Sequence, residues 1–306
     1  MSKTLVTAKV NPDMDGVASS YAYAELYGAT PVFYGALLPE PHFVLRELKI
    51  TPLMNLDKWE GNFVIVDASS MRGMPSVIDP CRVIEVIDHR FVAPQEVKEL
   101  FPNARVQIEL VGAAATLLAE RFEEVGKEPS EKVASLIYCA IISNTLNLNT
   151  RNTTFRDKEI LSKMSKLAPL SKKIAEEMLR YKTKYIEENL EEVIRNDFKW
   201  WEIKNEKIGI AQLEVYKADN ILDRAEDVIR ILKELKSELS LDICFLNMPD
   251  IEDRVNYFLF PDPASREFLG KIVNFDLEGN LGKSDQLILR KEILKLINEM
   301  TRSNLF

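Results

Sequence analysis

Three short segments carry the side chains best suited to chemistry. Asn11-Pro12-Asp13-Met14-Asp15-Gly16 sets two aspartates one residue apart, between a strand-like run and a helix-like one. Val64-Ile65-Val66-Asp67 and Glu85-Val86-Ile87-Asp88-His89-Arg90 each place an aspartate at the end of an apolar run, the second followed by a histidine. In an open α/β sheet these positions are the carboxyl ends of strands, where ligands bind. Two carboxylates on one turn offer the oxygen ligands that hard divalent cations want. Asp15 alone also reads as the N-cap of the following helix. Gathering Asp13, Asp15, Asp67, Asp88 and His89 at three strand ends would cost strong repulsion unless a cation neutralised it. The cluster therefore calls for a divalent metal, or for a fixed Lys or Arg.

The elements that must position these residues follow from the apolar patterning. Runs Thr4–Val10, Pro31–Tyr34, Asn62–Val66, Val83–Ile87 and Val106–Val111 are short and rich in Val and Ile, as buried parallel strands are. Helical stretches at Gly16–Tyr27, Pro94–Leu100 and Gly112–Val125 alternate with them, so a doubly wound, mostly parallel sheet is expected. Lys132–Tyr181 reads as mostly helical, and Arg180–Asp197 as a charged helical linker without a long apolar face. Beyond it, strands are expected at Phe198–Ile203, Lys207–Val215, Leu241–Leu246 and Val255–Phe260. Helices are expected at Ile221–Leu239, Ala264–Val273 and Ile288–Met300. The expected division is residues 1–187 and a smaller, mixed α/β domain of residues 188–306.

Composition narrows the function classes. The 306 residues carry 40 Lys+Arg against 48 Asp+Glu, a net charge of −8, which disfavours nucleic-acid and anionic-membrane partners. With two histidines, a His-rich zinc site cannot be built. The three cysteines are far apart and form no CxxC pair. No run approaches a membrane span, and MSKTLVTAKV lacks a signal-peptide apolar stretch, so a cytoplasmic protein is expected. GNLGKS at 279–284 lacks the first glycine of a P-loop and is set aside.

Taken in order, Asn11-Pro12-Asp13-x-Asp15, Val66-Asp67, Asp88-His89-Arg90, Gly112-Ala113-Ala114-Ala115-Thr116 and Ser143-Asn144-Thr145 resemble the motif series of the DHH phosphoesterase superfamily. They are most similar to those of the manganese-dependent family II inorganic pyrophosphatases. In the second half Lys199 and the Arg290-Lys291 pair look like that family's phosphate-binding positions. The resemblance implies an active site in the cleft between two domains and two Mn²⁺ or Co²⁺ ions. It also implies a metal-activated water that attacks pyrophosphate, and a homodimer through the N-terminal domain. Carried over, Asp13 and Asp67 would hold one metal, and Asp15, Asp67 and His89 the other, with Asp88 orienting His89.

Three positions depart from the pattern. Lys9 stands where the family has a metal-binding histidine, Asn144 where it has an aspartate ligand, and Arg90 where it has the second histidine of the DHH triplet. A protonated lysine has no lone pair for a metal. Its ammonium can instead lie between Asp13 and Asp67 as their counter-charge, or reach to solvent from the strand end. Asn144 keeps a carbonyl as a neutral ligand, and Arg90 suits phosphate; its DHR reading also resembles the prune-type exopolyphosphatases. Arg290 and Lys291 at a helix start oppose the helix dipole, which a bound anion would explain; a solvated surface pair is the alternative. The expectation is a pyrophosphatase-like hydrolase acting on pyrophosphate or short polyphosphate with one Mn²⁺, Co²⁺ or Mg²⁺. The alternative is an impaired homologue that binds a phosphate-bearing ligand or nucleotide as a sensor; a DHH nuclease ranks third.

Overall fold

The computed structural model describes residues 4–90 and 92–302. They form two compact units, Met1–Tyr181 and Lys182–Phe306.

The N-terminal unit is built on five strands: β1 (Thr4–Thr7), β2 (Thr30–Pro31), β3 (Asn62–Val66), β4 (Val83–Asp88) and β5 (Arg105–Ile108). They lie in the order β2-β1-β3-β4-β5, every pair parallel, as the Val/Ile-rich runs predicted. Helices α1 (Met14–Tyr27), α2 (Pro39–Glu47), α3 (Pro94–Leu100), α4 (Ala114–Glu124), α5 (Glu131–Asn144) and α6 (Phe155–Leu167) supply the crossovers and the layers around them. Phe63, Val64, Ile65 and Val66 are all fully buried, which explains why β3 shows no alternation: both its faces are covered. The first strand stops at Thr7, three residues short of the expected Val10. Lys9 therefore sits in the β1–α1 turn, where Asn11 adopts a positive φ of 55° and donates its N–H to Tyr34 O.

Helix α7 (Ser171–Glu188) runs through the unit boundary. After a break at Asn189 comes α8 (Leu190–Asp197). The segment is helical, as expected, but it does have an apolar face. Ile186, Leu190 and Ile194, spaced four apart, are buried in the core of the C-terminal unit. The stripe is only one residue wide, so charge on the other faces masked it.

That unit holds a six-stranded sheet: β6 (Lys199–Ile203), β7 (Glu206–Gln212), β8 (Ile243–Asp250), β9 (Val255–Leu259), β10 (Asp276–Glu278) and β11 (Leu281–Ser284), in the order β10-β11-β9-β8-β7-β6. Only β7 and β8 pair parallel. Successive residues of β7 and β8 point to opposite faces. Cys244 and Leu246 enter a core with α8 and α10 (Ala225–Glu238), while Ile243 and Phe245 enter a second core with α11 (Pro263–Gly270) and α12 (Arg290–Arg302). One further short helix, α9 (Asp219–Leu222), precedes α10. The β10–β11 hairpin was not expected; GNLGKS supplies its turn, with Gly279 at φ +60°, and all of β11. Among the described residues no helix is long and apolar enough to cross a membrane.

Candidate metal centre

The cluster lies at the carboxyl ends of β1, β3 and β4. Asp13, not Asp15, is the N-cap of α1: its Oδ1 accepts from Gly16 N at 3.1 Å. That leaves Asp15, in the first turn of α1 and fully buried, free to serve another helix. Helix α4 begins at Ala113, which has no side chain able to cap it. Asp15 does so from across the fold, its two oxygens accepting from Ala114 N at 2.7 Å and Ala115 N at 2.8 Å. A carboxylate at this helix N-terminus is favoured by both the orphan N–H groups and the dipole. Ser19 Oγ (3.2 Å) and Asn144 Nδ2 (2.7 Å) complete its set of donors. Asn144 thus turns its amide nitrogen to Asp15, the end of the side chain that donates. The carbonyl expected to serve as a ligand is the other end.

Asp67 follows β3 in a left-handed conformation, φ 51°, uncommon for a residue with a Cβ. Its Oδ1 accepts from Arg90 Nη2 at 3.0 Å and lies 3.5 Å from His89 Nε2. Its Oδ2 is buried and has no hydrogen-bond partner; Lys9 Nζ is 4.0 Å from it. Lys9 is closer to Asp13, at 2.8 Å. The ammonium therefore lies beside both carboxylates, tighter to Asp13, instead of reaching out alone to solvent. Burial works against its charge, but Asp13 and Asp67 outweigh that and raise its pKa. In turn, burial opposes ionisation of Asp13, yet Lys9 and the Gly16 N–H hold its carboxyl down to about 2.

His89 Nδ1 lies 3.0 Å from Val111 O. A carbonyl only accepts, so Nδ1 carries a proton, and Nε2 is the nitrogen turned to Asp15 and Asp67. The orienting partner is thus a main-chain carbonyl. Asp88 was expected in that role; its Oδ1 instead accepts from the His89 backbone N–H at 2.8 Å, and its buried Oδ2 has no hydrogen bond. Burial disfavours the imidazolium, but the carboxylates of Asp67 and Asp15 stabilise it and raise its pKa to about 9. Asp67 is pushed up mainly by burial and then by the charge of Asp13; Asp15 is likewise raised by burial. A divalent ion would reverse both effects by taking the Nε2 lone pair and neutralising the carboxylates.

The donor set suits such an ion. Asp15, Asp67 and His89 each offer one atom, all within 4.8 Å of one another. Two carboxylates and an imidazole fit Mn²⁺, and the bare Oδ2 of Asp67 is a ligand without another use. Lys9, by contrast, stands where a cation beside Asp13 would lie. Sequence reasoning missed the Ala114 and Ala115 N–H groups, Val111 O and Glu40. Glu40 Oε1 is buried and accepts from Ser143 Oγ at 2.8 Å, next to Asn144. Only the uncapped Gly-Ala-Ala-Ala helix start could have hinted at the first of these.

In the C-terminal unit the three expected phosphate-binding residues are differently placed. Lys199 opens β6 and Lys291 is in the first turn of α12, both exposed. Arg290 is 9% exposed, and its guanidinium meets both carboxylate oxygens of Asp197 at 2.6 and 3.1 Å. It also donates to the carbonyls of Asp197 and Ile210. The anion that offsets the Arg290 charge at this helix start is internal.

Comparison with known proteins fits these two halves. Residues 3–141 match the N-terminal domain model of the DHH family, and residues 176–299 match the DHHA2 domain. A manganese-dependent inorganic pyrophosphatase of Methanocaldococcus jannaschii is 27% identical over 298 residues, covering 94% of this chain and 95% of the relative. Another, from Methanothrix thermoacetophila, is 26% identical over 304 residues with the same two coverages. A Methanococcus jannaschii crystal structure described as a family II inorganic pyrophosphatase shares the fold, with a TM-score of 0.70 at 24% identity over 96% of this chain and 99% of that one. With the DHH domain first and the DHHA2 domain second, this chain belongs to the DHH phosphoesterase superfamily and resembles its manganese-dependent pyrophosphatases.

Proposed function

We propose that this protein hydrolyses pyrophosphate or short polyphosphate with one divalent cation, Mn²⁺ by preference, held by Asp15, Asp67 and His89. The observation that carries the reading is the convergence of Asp15, Asp67 and His89, one ligand atom of each lying within 4.8 Å of the others, in a buried cluster where Asp67 Oδ2 has no hydrogen-bond donor. An unpaired buried carboxylate oxygen costs several kcal/mol by general estimate, a cost a bound cation would relieve. When bound, the cation supplies Lewis-acid polarisation and a water of lowered pKa. The protein's own groups do the rest. Val111 O fixes the His89 ring, so that ligand needs no reorganisation, while Asp15, with two donors on each oxygen, would give up one side-chain donor, Ser19 Oγ or Asn144 Nδ2, to the cation. Arg90, half-exposed and anchored by Asp67, is placed to bind a phosphoryl oxygen and to stabilise charge on the leaving phosphate. Lys9 serves as the fixed counter-charge of Asp13 and Asp67, in place of a second ion. Lys199 and Lys291 are assigned to phosphate contacts from the resemblance, whereas Arg290, held by Asp197, is assigned to the fold.

The test is phosphate release from pyrophosphate and tripolyphosphate with Mn²⁺, Co²⁺ or Mg²⁺. Turnover above about 1 s⁻¹, the low end for ordinary enzymes, is expected; none with any ion would overturn the reading. A second reading, an impaired relative that only binds a phosphate-bearing ligand, is favoured by the Lys9–Asp13 pair and by Asn144 donating to Asp15. It predicts no turnover in the natural chain and gain of turnover in Lys9→His/Asn144→Asp.

A further inference from the structure

Asp157 is fully buried in the N-terminal unit, at the third position of α6, and no cationic side chain is among its hydrogen-bond partners. Its carboxylate is held by four donors. Gly112 N lies at 3.0 and 2.9 Å from its two oxygens, and Thr116 Oγ1 at 2.7 Å. Thr154 N and Thr154 Oγ1 follow at 2.7 and 2.6 Å. The Thr154 contacts form the capping box of α6, a local matter. The Gly112 and Thr116 contacts are not local: they join that helix start to a segment 41 to 45 residues earlier.

That segment orients both kinds of ligand atom. Val111 O fixes the His89 ring, and Ala114 N and Ala115 N grip Asp15. Asp157 holds Gly112, whose N shares a peptide unit with Val111 O, and Thr116, the residue that follows Ala115. Gly112 is squeezed in place: a Cβ there would come 2.5 Å from Thr145 Cγ2 and 3.0 Å from the Asp157 carboxylate. A backbone held that tightly on both sides cannot shift without moving the His89 and Asp15 partners together.

We infer that Asp157 is a positioning residue of the metal centre, acting through Gly112 and Thr116 on the 111–115 backbone. The inference rests on the one-cation reading above. It assigns the precision of that site to a carboxylate that touches neither ligand nor ion. Partners that orient metal ligands are worth about 10- to 100-fold in metal affinity when removed.

The test titrates the folded protein with Mn²⁺ alone, read by the free-ion electron paramagnetic resonance signal, in Asp157→Asn, Thr116→Val and Thr116→Ser. Thr116→Val keeps the side-chain shape and removes only one donor, so it guards against a folding failure in Asp157→Asn. Thr116→Ser keeps the hydroxyl. The expected result is a Kd raised at least about tenfold in Asp157→Asn and severalfold in Thr116→Val, with Thr116→Ser within about twofold of the natural chain. Ile293→Val, in the C-terminal core, is the control: it lowers the thermal midpoint and leaves Kd unchanged. Equal Kd values in all folded variants would overturn the proposal. If the natural chain binds no Mn²⁺, the one-cation reading fails instead. The ¹⁵N shift of His89 Nδ1, readable because the chain has only two histidines, then decides the positioning role. It must move in Asp157→Asn and Thr116→Val and not in Thr116→Ser; no movement overturns the role.

Discussion

The strand-end cluster of the N-terminal unit and the polar knot under α12 in the C-terminal unit are both made of buried charge, yet they close differently. Around Arg290 the polar side chains that meet it pair with one another. Asp197 takes the guanidinium, Gln212 Oε1 accepts from Arg290 N and from Asn247 Nδ2, and Asn256 bridges Asn247 Oδ1 and Ile288 N. Around Asp67 the account does not balance. Asp13, Asp15, Asp67 and Asp88 face Lys9, Arg90 and His89, and two of their oxygens, Asp67 Oδ2 and Asp88 Oδ2, are left bare. A satisfied network specifies architecture, whereas an unsatisfied one in a well-packed fold marks the place of something that binds.

The sharpest way to break this contrast is to remove one charge from each side. Asp67→Asn takes away a ligand; losing the several kcal/mol that a Lewis acid contributes to the transition state lowers phosphate release by about 10³-fold. Its unfolding free energy, measured without added ion, should not fall below that of the natural chain, because the oxygen it removes is buried at a cost and has no hydrogen bond to lose. Arg290→Met should do the reverse. It strands Asp197 and is expected to cost about 2–4 kcal/mol in urea unfolding, somewhat less than a fully buried pair because Asp197 is a third exposed. If Arg290→Met instead raised KM with an unchanged unfolding midpoint, Arg290 would be a ligand contact and the contrast would fall.

Those two sides were unequally legible in the sequence. The aspartates could be read because each ends a short apolar run, and a parallel sheet brings strand ends together whatever the loops do. Their partners could not. That Asp15 caps α4, some 99 residues away, depends on how two helices cross, and nothing local to Asp15 encodes it. The Asp13/Asp15 pair shows the same limit: either could cap α1, and only the α4 contact decides that Asp13 does. Arg290 misled for a related reason. A cation at a helix start calls for an anion, but sequence alone does not say whether that anion is a ligand or Asp197. The β10–β11 hairpin escaped because its exposed edge strand, Asp276-Leu277-Glu278, has no buried face to give a period.

The smallest expected effect refines the role of Lys9. The Asp13 carboxyl is held down to about 2 from an ordinary 3.8. A depressed carboxylate pKa adds stability that is complete above the unfolded value and lost as pH falls towards the folded one. Between pH 5 and pH 2.5 the natural chain should therefore lose about 1–2 kcal/mol through this group, allowing for its partial exposure. Lys9→Met should lose less over the same interval, as read by urea unfolding at each pH. Equal losses would mean that Lys9 does not hold the charge of Asp13.

The central claim is that one divalent cation sits on Asp15, Asp67 and His89 and that an ammonium replaces a second. Crystals grown with Mn²⁺ and measured at the manganese edge test it most directly. The account predicts one anomalous peak per chain, about 2.0–2.3 Å from the three ligand atoms, with Lys9 Nζ still within hydrogen-bond distance of Asp13. Two peaks, or one beside Asp13 with Lys9 displaced, would contradict it.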